Sequence, residues 1–163
     1  MTLRAPDVDP SAGRSAVFGH VCASYCSKPI SKPIVLGDDV TDYLIIGLGG
    51  FLGANARYLV GGWVAKAYGS TFPYGTFLIN VTGSFVIGFF LTFVTERFIA
   101  PPSTRSFFVV GFLGAYTTFS SYMFEAISLI QARAYLTALA YLLGSVIVGL
   151  IAVAAGVITG RAV

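Results

Sequence analysis

Four long apolar stretches follow a polar beginning in this chain. They run from about residue 43 to 66, 74 to 97, 106 to 131 and 135 to 160. Each is long enough to cross a membrane as a helix, which takes about 20 residues for a hydrocarbon core of ~30 Å. Because the connections between them are short, consecutive helices are expected to run antiparallel. The pattern predicts an all-α membrane protein with four transmembrane helices in one domain, 43–163.

The residues before this domain show neither helical nor strand periodicity, and they are rich in Pro, Ser, Asp and Lys. We predict a flexible N-terminal tail, 1–42. Its apolar run AVFGHVCASYC is short and interrupted by His20, so we expect no cleaved signal peptide. Cys22 and Cys26 with His20 lack a fourth ligand nearby. We therefore expect two free thiols rather than a tetrahedral zinc site.

Composition supports a membrane protein and excludes several other functions. Of the 163 residues, 56% are hydrophobic and 10% are charged, against roughly 25% charged residues in a soluble domain. The net charge of +3 is scattered, without a basic run interleaved with aromatic residues, so no nucleic-acid partner is expected. The four stretches contain no histidine, no cysteine and no paired carboxylates. We therefore predict that the chain is not an enzyme.

The third stretch carries an unusual group of small and hydroxyl side chains. Near the expected centre of the bilayer lie Gly111, Gly114, Thr117, Thr118, Ser120 and Ser121. Glycine loosens a helix, and Ser and Thr satisfy the backbone groups that a break leaves free. We predict a third helix broken near its middle, where free carbonyls of Gly114 and Thr117 suit a cation and the hydroxyl and N–H groups suit an anion. A Ser/Thr-rich packing face is the alternative.

Polar side chains elsewhere in the spans each require an explanation. The Asn80 amide has two N–H donors, for a neighbouring helix or for a passing anion. Arg57 is close enough to the end of the first span to extend its side chain to the interface, or to form a salt bridge. Glu125 faces a wet vestibule or accepts hydrogen bonds from a neighbour. Phe119 and Tyr122 lie on one side of a helix, where they either pack or present their positive ring edges to an anion.

The second and fourth spans share a pattern of small residues, TGSFVIG and LGSVIVG. Gly83, Ser84 and Gly88 in the second span match Gly144, Ser145 and Gly149 in the fourth. At helical spacing these positions share a face, which is typical of closely packed membrane helices.

Four motifs taken together resemble the CrcB/Fluc family of fluoride channels. They are GGFLGANARY, PYGTFLINVTGSFVIG, GFLGAYTTFSSYMFE and LLGS, one in each span and in the family's order. The resemblance covers the chain from about residue 43 to 156. It implies a channel in the plasma membrane that passively exports fluoride from the cytoplasm and so protects against fluoride toxicity. It also implies an antiparallel dimer, in which the second subunit has the inverted orientation.

The resemblance also implies a role for individual residues. The fluoride pathway would comprise Asn80, Phe119, Tyr122, Thr118, Ser120, Glu125 and Arg57. A structural sodium ion would be held by the backbone carbonyls of Gly114 and Thr117. Two positions depart from the family pattern: Tyr122 replaces the usual phenylalanine, and Tyr141 stands in place of an asparagine.

Basic residues are distributed unevenly between the two sides of the membrane. Seven lie on the side of the termini, Arg4, Arg14, Lys28, Lys32, Arg97, Arg105 and Arg161, against Lys66 and Arg133 on the other. This bias favours one orientation, with the termini in the cytoplasm. A heterodimer with an inverted homologue is therefore an alternative to a homodimer. A small multidrug-resistance-like antiporter would need an acidic residue within 43–66, which has none; a non-transporting assembly subunit is the remaining alternative.

Overall fold

The described part of the chain is built from helices. The computed structural model describes residues 40–69, 71–96 and 100–163, so most of the predicted tail, with His20, Cys22 and Cys26, lies outside the described residues. Four helical spans have the length and composition to cross a membrane: Val40–Tyr68, Tyr74–Thr95, Pro102–Gln131 and Tyr135–Ala162. The prediction of an all-helical chain with four membrane-spanning segments is confirmed.

Seven helical elements make up these spans. They are α1 Val40–Tyr68, α2 Tyr74–Glu96, α3 Pro102–Arg105, the π-helix Ser106–Leu113, α4 Gly114–Tyr116, α5 Phe119–Gln131 and α6 Tyr135–Ala162. The third span begins four residues before the predicted 106, because a proline in the first helical turn loses no intrahelical hydrogen bond and its fixed φ suits the helix. The first span ends at Tyr68, and the next residue, Gly69, has a φ of 76°, a left-handed conformation that favours glycine.

Helices α2 and α6 run parallel and touch backbone to backbone. A Cβ atom placed on Gly156 would meet the carbonyl oxygen of Phe85, and one on Gly88 would meet the carbonyl oxygen of Val153. Membrane helices approach this closely only through small residues, since lipid supplies no hydrophobic force between them. Glycine at these two positions therefore fixes the spacing of the pair.

Helix α1 packs in the same way against the third span. A Cβ on Gly49 would meet the carbonyl oxygen of Phe107, and one on Gly53 would meet that of Phe112. From the other side, a Cβ on Gly111 would lie 2.6 Å from the carbonyl oxygen of Ile46. These contacts hold the first half of the third span firmly on α1.

Gly156 offers a direct test of the packing between α2 and α6. We expect Gly156→Ala to lower the free energy of unfolding by about 1–3 kcal/mol, because the added methyl group meets backbone atoms that have no room to move. Thermal unfolding in detergent measures the effect. The matched control is Gly144→Ala on the same helix, where a Cβ has no neighbour within 4 Å. Equal stability of the two variants would contradict this account of the packing.

Candidate functional site

The third span is interrupted for two residues between α4 and α5. Thr117 has φ −81° and ψ 157°, and Thr118 has φ −150° and ψ 117°, so both have extended backbones. The Thr118 hydroxyl accepts a hydrogen bond from the backbone N–H of Ser121 at 3.2 Å. A threonine in this position caps the first turn of a helix. The sequence thus supplies a local start for α5 immediately after the extended pair.

Asn80 on α2 binds the backbone at this interruption with both ends of its amide. Its Nδ2 donates to the carbonyl oxygen of Thr118 at 3.0 Å, and its Oδ1 accepts from the Thr118 N–H at 2.9 Å. Within a membrane each backbone polar group must find a partner inside the protein. Asn80 therefore satisfies the two groups that the extended conformation of Thr118 would otherwise leave free.

At the interruption, two backbone N–H groups bond side chains instead of the carbonyls that they would bond in a continuous helix. An α-helix pairs each N–H with the carbonyl four residues earlier, so Thr118 would bond Gly114 and Ser121 would bond Thr117. The Thr118 N–H instead donates to the Asn80 side chain, and the Ser121 N–H donates to the Thr118 side chain. The carbonyls of Gly114 and Thr117 lose their usual helical donors. They are the two that the sequence indicated for a cation.

A cavity of about 340 Å³ lies beside the interruption. Its lining combines polar and apolar groups from α2 and the third span: Asn80, Gly83, Ser84, Ile87, Val109, Leu113, Gly114, Thr117, Thr118 and Phe119. The Phe119 side chain is 73% exposed in the single chain, so its ring forms an open edge of this site. The cavity brings polar donors and free carbonyls together at the middle of the span.

The predicted site residues divide into those in the cavity and those elsewhere. Asn80, Thr118 and Phe119 line the cavity with the carbonyl residues, and Ser120 lies next to it, its hydroxyl 3.3 Å from that of Thr118. Arg57 is half-buried on α1 and does not line the cavity. Within the described ranges it has no hydrogen bond or ion pair.

Tyr122 contacts the ring of Phe119 and directs its hydroxyl toward α6. Its hydroxyl donates to the carbonyl oxygen of Leu142 at 2.6 Å, and its side chain is only 6% exposed. The two rings lie 6.0 Å apart, yet only Phe119 lines the cavity. The hydroxyl that distinguishes Tyr122 from phenylalanine is therefore engaged by a neighbouring helix.

Glu125 accepts hydrogen bonds on both carboxyl oxygens. Thr76 on α2 donates to Oε1 at 2.7 Å, and Tyr141 on α6 donates to Oε2 at 2.6 Å. The ring of Tyr141 also packs edge-on against Tyr122, at 5.0 Å between centroids. Of the two alternatives for Glu125, the structure shows bonding to neighbours. No sequence pattern pointed to Thr76, whereas Tyr141 stood out only as a departure from the family pattern.

Comparison with known proteins places the chain in one family. A sequence model described as "CrcB-like protein, Camphor Resistance (CrcB)" matches residues 44–157. A protein named "Fluoride-specific ion channel FluC" from Rhizobium meliloti (strain 1021) is 44% identical over 119 residues, which are 73% of this chain and 95% of that protein. One with the same name from Hahella chejuensis is 46% identical over 122 residues, 75% of this chain and 96% of the relative.

Asn80 offers a test of whether the amide holds the interruption. We expect Asn80→Leu to lower the free energy of unfolding by about 1–3 kcal/mol for each Thr118 backbone group that loses its partner. Thermal unfolding in detergent measures it. The control is Asn55→Leu, since Asn55 is exposed and, among the residues that the structure describes, its side chain bonds only the Phe51 carbonyl of its own helix. If Asn80→Leu is no less stable than this control, the amide does not hold the interruption.

Tyr122→Phe isolates the bond between the tyrosine hydroxyl and Leu142. We expect it to lower stability by about 1 kcal/mol, the usual net contribution of one hydrogen bond, because the ring keeps its contact with Tyr141. Urea or thermal unfolding provides the measurement. Tyr58→Phe is the control, as that side chain is 81% exposed. Identical losses in both variants would show that the Leu142 bond contributes nothing.

Proposed function

Because the chain belongs to the CrcB-like protein family, we propose that it is a fluoride-selective ion channel that passively exports fluoride across the plasma membrane and so protects against fluoride toxicity. Membership of this family confirms the resemblance predicted from the four motifs. The chain is a multi-pass membrane protein, and its relatives are named ion channels, not enzymes. The observation that carries the proposal is the interruption of the third span beside a cavity with polar groups.

The cavity residues fit the demands of a small anion. Fluoride is strongly hydrated, so its transfer into a medium of low dielectric constant is costly unless donors replace the lost water. Asn80 uses one of its two N–H groups on Thr118, which leaves the second for an anion. The Thr118 hydroxyl lines the path but donates its proton to the Ser121 hydroxyl at 3.1 Å, so Ser120 is the hydroxyl that adds a donor. The edge of the exposed Phe119 ring attracts an anion weakly. Weak attraction permits passage without trapping.

The residues at the interruption also fit a structural sodium ion. We place it at the carbonyls of Gly114 and Thr117, because their usual helical donors bond elsewhere and carbonyl oxygens suit a hard cation. The ion would supply a fixed positive charge near the anion path. Two carbonyls are too few to surround a cation, which needs further oxygen ligands. A second subunit in the inverted orientation would supply the others.

Arg57 and Glu125 have supporting roles in this proposal. Half-buried Arg57 raises the local concentration of anions through its charge. Glu125 accepts hydrogen bonds from Thr76 and Tyr141 on its two carboxyl oxygens. Its charge is therefore held by neighbours and repels fluoride less. Phe119, exposed in the single chain, meets the second subunit.

The second subunit is either another copy of this chain or an inverted homologue. The uneven distribution of basic residues favours the homologue, since a chain that inserts in both orientations needs almost no bias. This alternative leaves the proposed ion path unchanged. It changes only which chain completes it.

Fluoride efflux from liposomes tests the proposed function. Liposomes loaded with fluoride, carrying the purified protein, are placed under a potassium–valinomycin potential and followed with a fluoride electrode. We expect fluoride efflux without chloride efflux. We expect Phe119→Leu to slow fluoride efflux by up to about tenfold, or about 1.4 kcal/mol in the barrier, because leucine lacks the positive ring edge that attracts an anion. Phe124→Leu is the control, since Phe124 is equally exposed on α5 but lies outside the cavity lining.

Each outcome of this experiment separates the alternatives. Efflux from the chain alone establishes that copies of this chain conduct without an inverted homologue. Efflux that requires co-reconstitution with a homologue establishes the heterodimer. Chloride efflux equal to that of fluoride, or no fluoride efflux under either condition, would refute a fluoride-selective channel.

A further inference from the structure

Gly83 on α2 leaves a space that the Thr117 side chain fills. A Cβ atom on Gly83 would collide with the Thr117 Cγ2 methyl group, and it would lie 3.5 Å from the Tyr116 ring. Gly83 is three residues after Asn80, so the two residues share one face of α2. That face of α2 thus contacts both extended residues. The Asn80 amide bonds the backbone of Thr118, and the methyl group of Thr117 fills the space left by the missing side chain of Gly83.

The rest of Thr117 is fixed from within the third span. Its hydroxyl donates to the carbonyl oxygen of Leu113 at 3.0 Å, and its backbone N–H donates to the same oxygen at 3.0 Å. A β-branched side chain has few rotamers. With the hydroxyl on Leu113 and the methyl group at Gly83, both branches are held. The Thr117 carbonyl shares its peptide plane with the Thr118 N–H, which donates to Asn80 at 2.9 Å. That plane is therefore held at one end by the Thr117 side chain and at the other by Asn80.

We propose that Gly83 is a positioning residue for the cation site, acting through the Thr117 methyl group to orient the Thr117 carbonyl. This inference rests on the proposed sodium ion. The equivalent Gly144 on α6 has open space around it, so it provides a matched control for a substitution at Gly83. The absence of a side chain at residue 83 thus determines the geometry of a ligand that belongs to a different helix.

A sodium titration of thermal stability tests this proposal. The purified protein is unfolded in detergent at increasing NaCl concentrations, with N-methyl-D-glucamine chloride keeping the ionic strength constant. We expect sodium to raise the unfolding temperature of the wild type. We expect Gly83→Ala to weaken the apparent sodium affinity roughly tenfold, because the methyl group of Thr117 is displaced. Gly144→Ala is the control and should match the wild type.

Rescue by a second substitution separates positioning from general instability. Thr117→Ser removes the Cγ2 methyl group but retains the hydroxyl and the carbonyl. Alone, it leaves a gap and should weaken sodium affinity several-fold. Combined with Gly83→Ala, the new methyl group fills that gap, and we expect affinity within about threefold of wild type. This comparison remains informative if Gly83→Ala alone does not fold.

Two results would overturn the inference, and they are distinguishable. If the wild type responds to sodium and Gly83→Ala responds equally, or if the double variant binds sodium no more tightly than Thr117→Ser, the positioning role is wrong and the cation site stands. If the wild type shows no response to sodium beyond that to N-methyl-D-glucamine, the proposed cation site fails and the inference fails with it. Fluoride efflux, measured separately, then decides the proposed channel function.

Discussion

The two hydrogen bonds between the Asn80 amide and the backbone of Thr118 are the interaction on which the rest of the site depends. In a membrane interior, a backbone polar group without a hydrogen-bond partner is costly. A helix interrupted at mid-span therefore needs other partners in place of its missing backbone hydrogen bonds. The Asn80 amide supplies these partners to Thr118. Because it takes the Thr118 N–H, Gly114 loses its helical donor, and because Thr118 then caps α5, Thr117 loses its donor as well. The Asn80 amide and the Thr118 hydroxyl together therefore account for the two carbonyls that lose their helical donors.

Close packing through glycine determines where these groups lie. Gly49 and Gly53 hold the first half of the third span on α1, and Gly88 and Gly156 hold α2 on α6. The site lies between these two pairs of parallel helices, where α2 reaches the interruption with Asn80. In the absence of a hydrophobic force between the helices, the precision of such a site comes from backbone contact. The fold and the site thus depend on the same kind of residue.

The sequence was sufficient for the features that local chemistry determines. Apolar length predicted the four spans, and the glycines and hydroxyls near Thr117 directed attention to the segment that the structure shows as extended. The sequence did not predict the partners of side chains that bond residues on another helix. Nothing local to Tyr122 indicates that its hydroxyl bonds Leu142, and nothing near Glu125 indicates that Thr76 and Tyr141 engage its two oxygens. The periodicity that puts Tyr122 on the side of Phe119 does not specify which helix its hydroxyl meets.

The groups that line the interruption share one further property. Amides, hydroxyls and peptide carbonyls neither gain nor lose a proton across the physiological pH range, in contrast to carboxylates or histidines. The charge distribution around Thr117 and Thr118 is therefore the same in acid as at neutrality. A cell takes up fluoride fastest in acid surroundings, where hydrogen fluoride enters uncharged. A site built from such groups would keep working under the conditions that make it necessary.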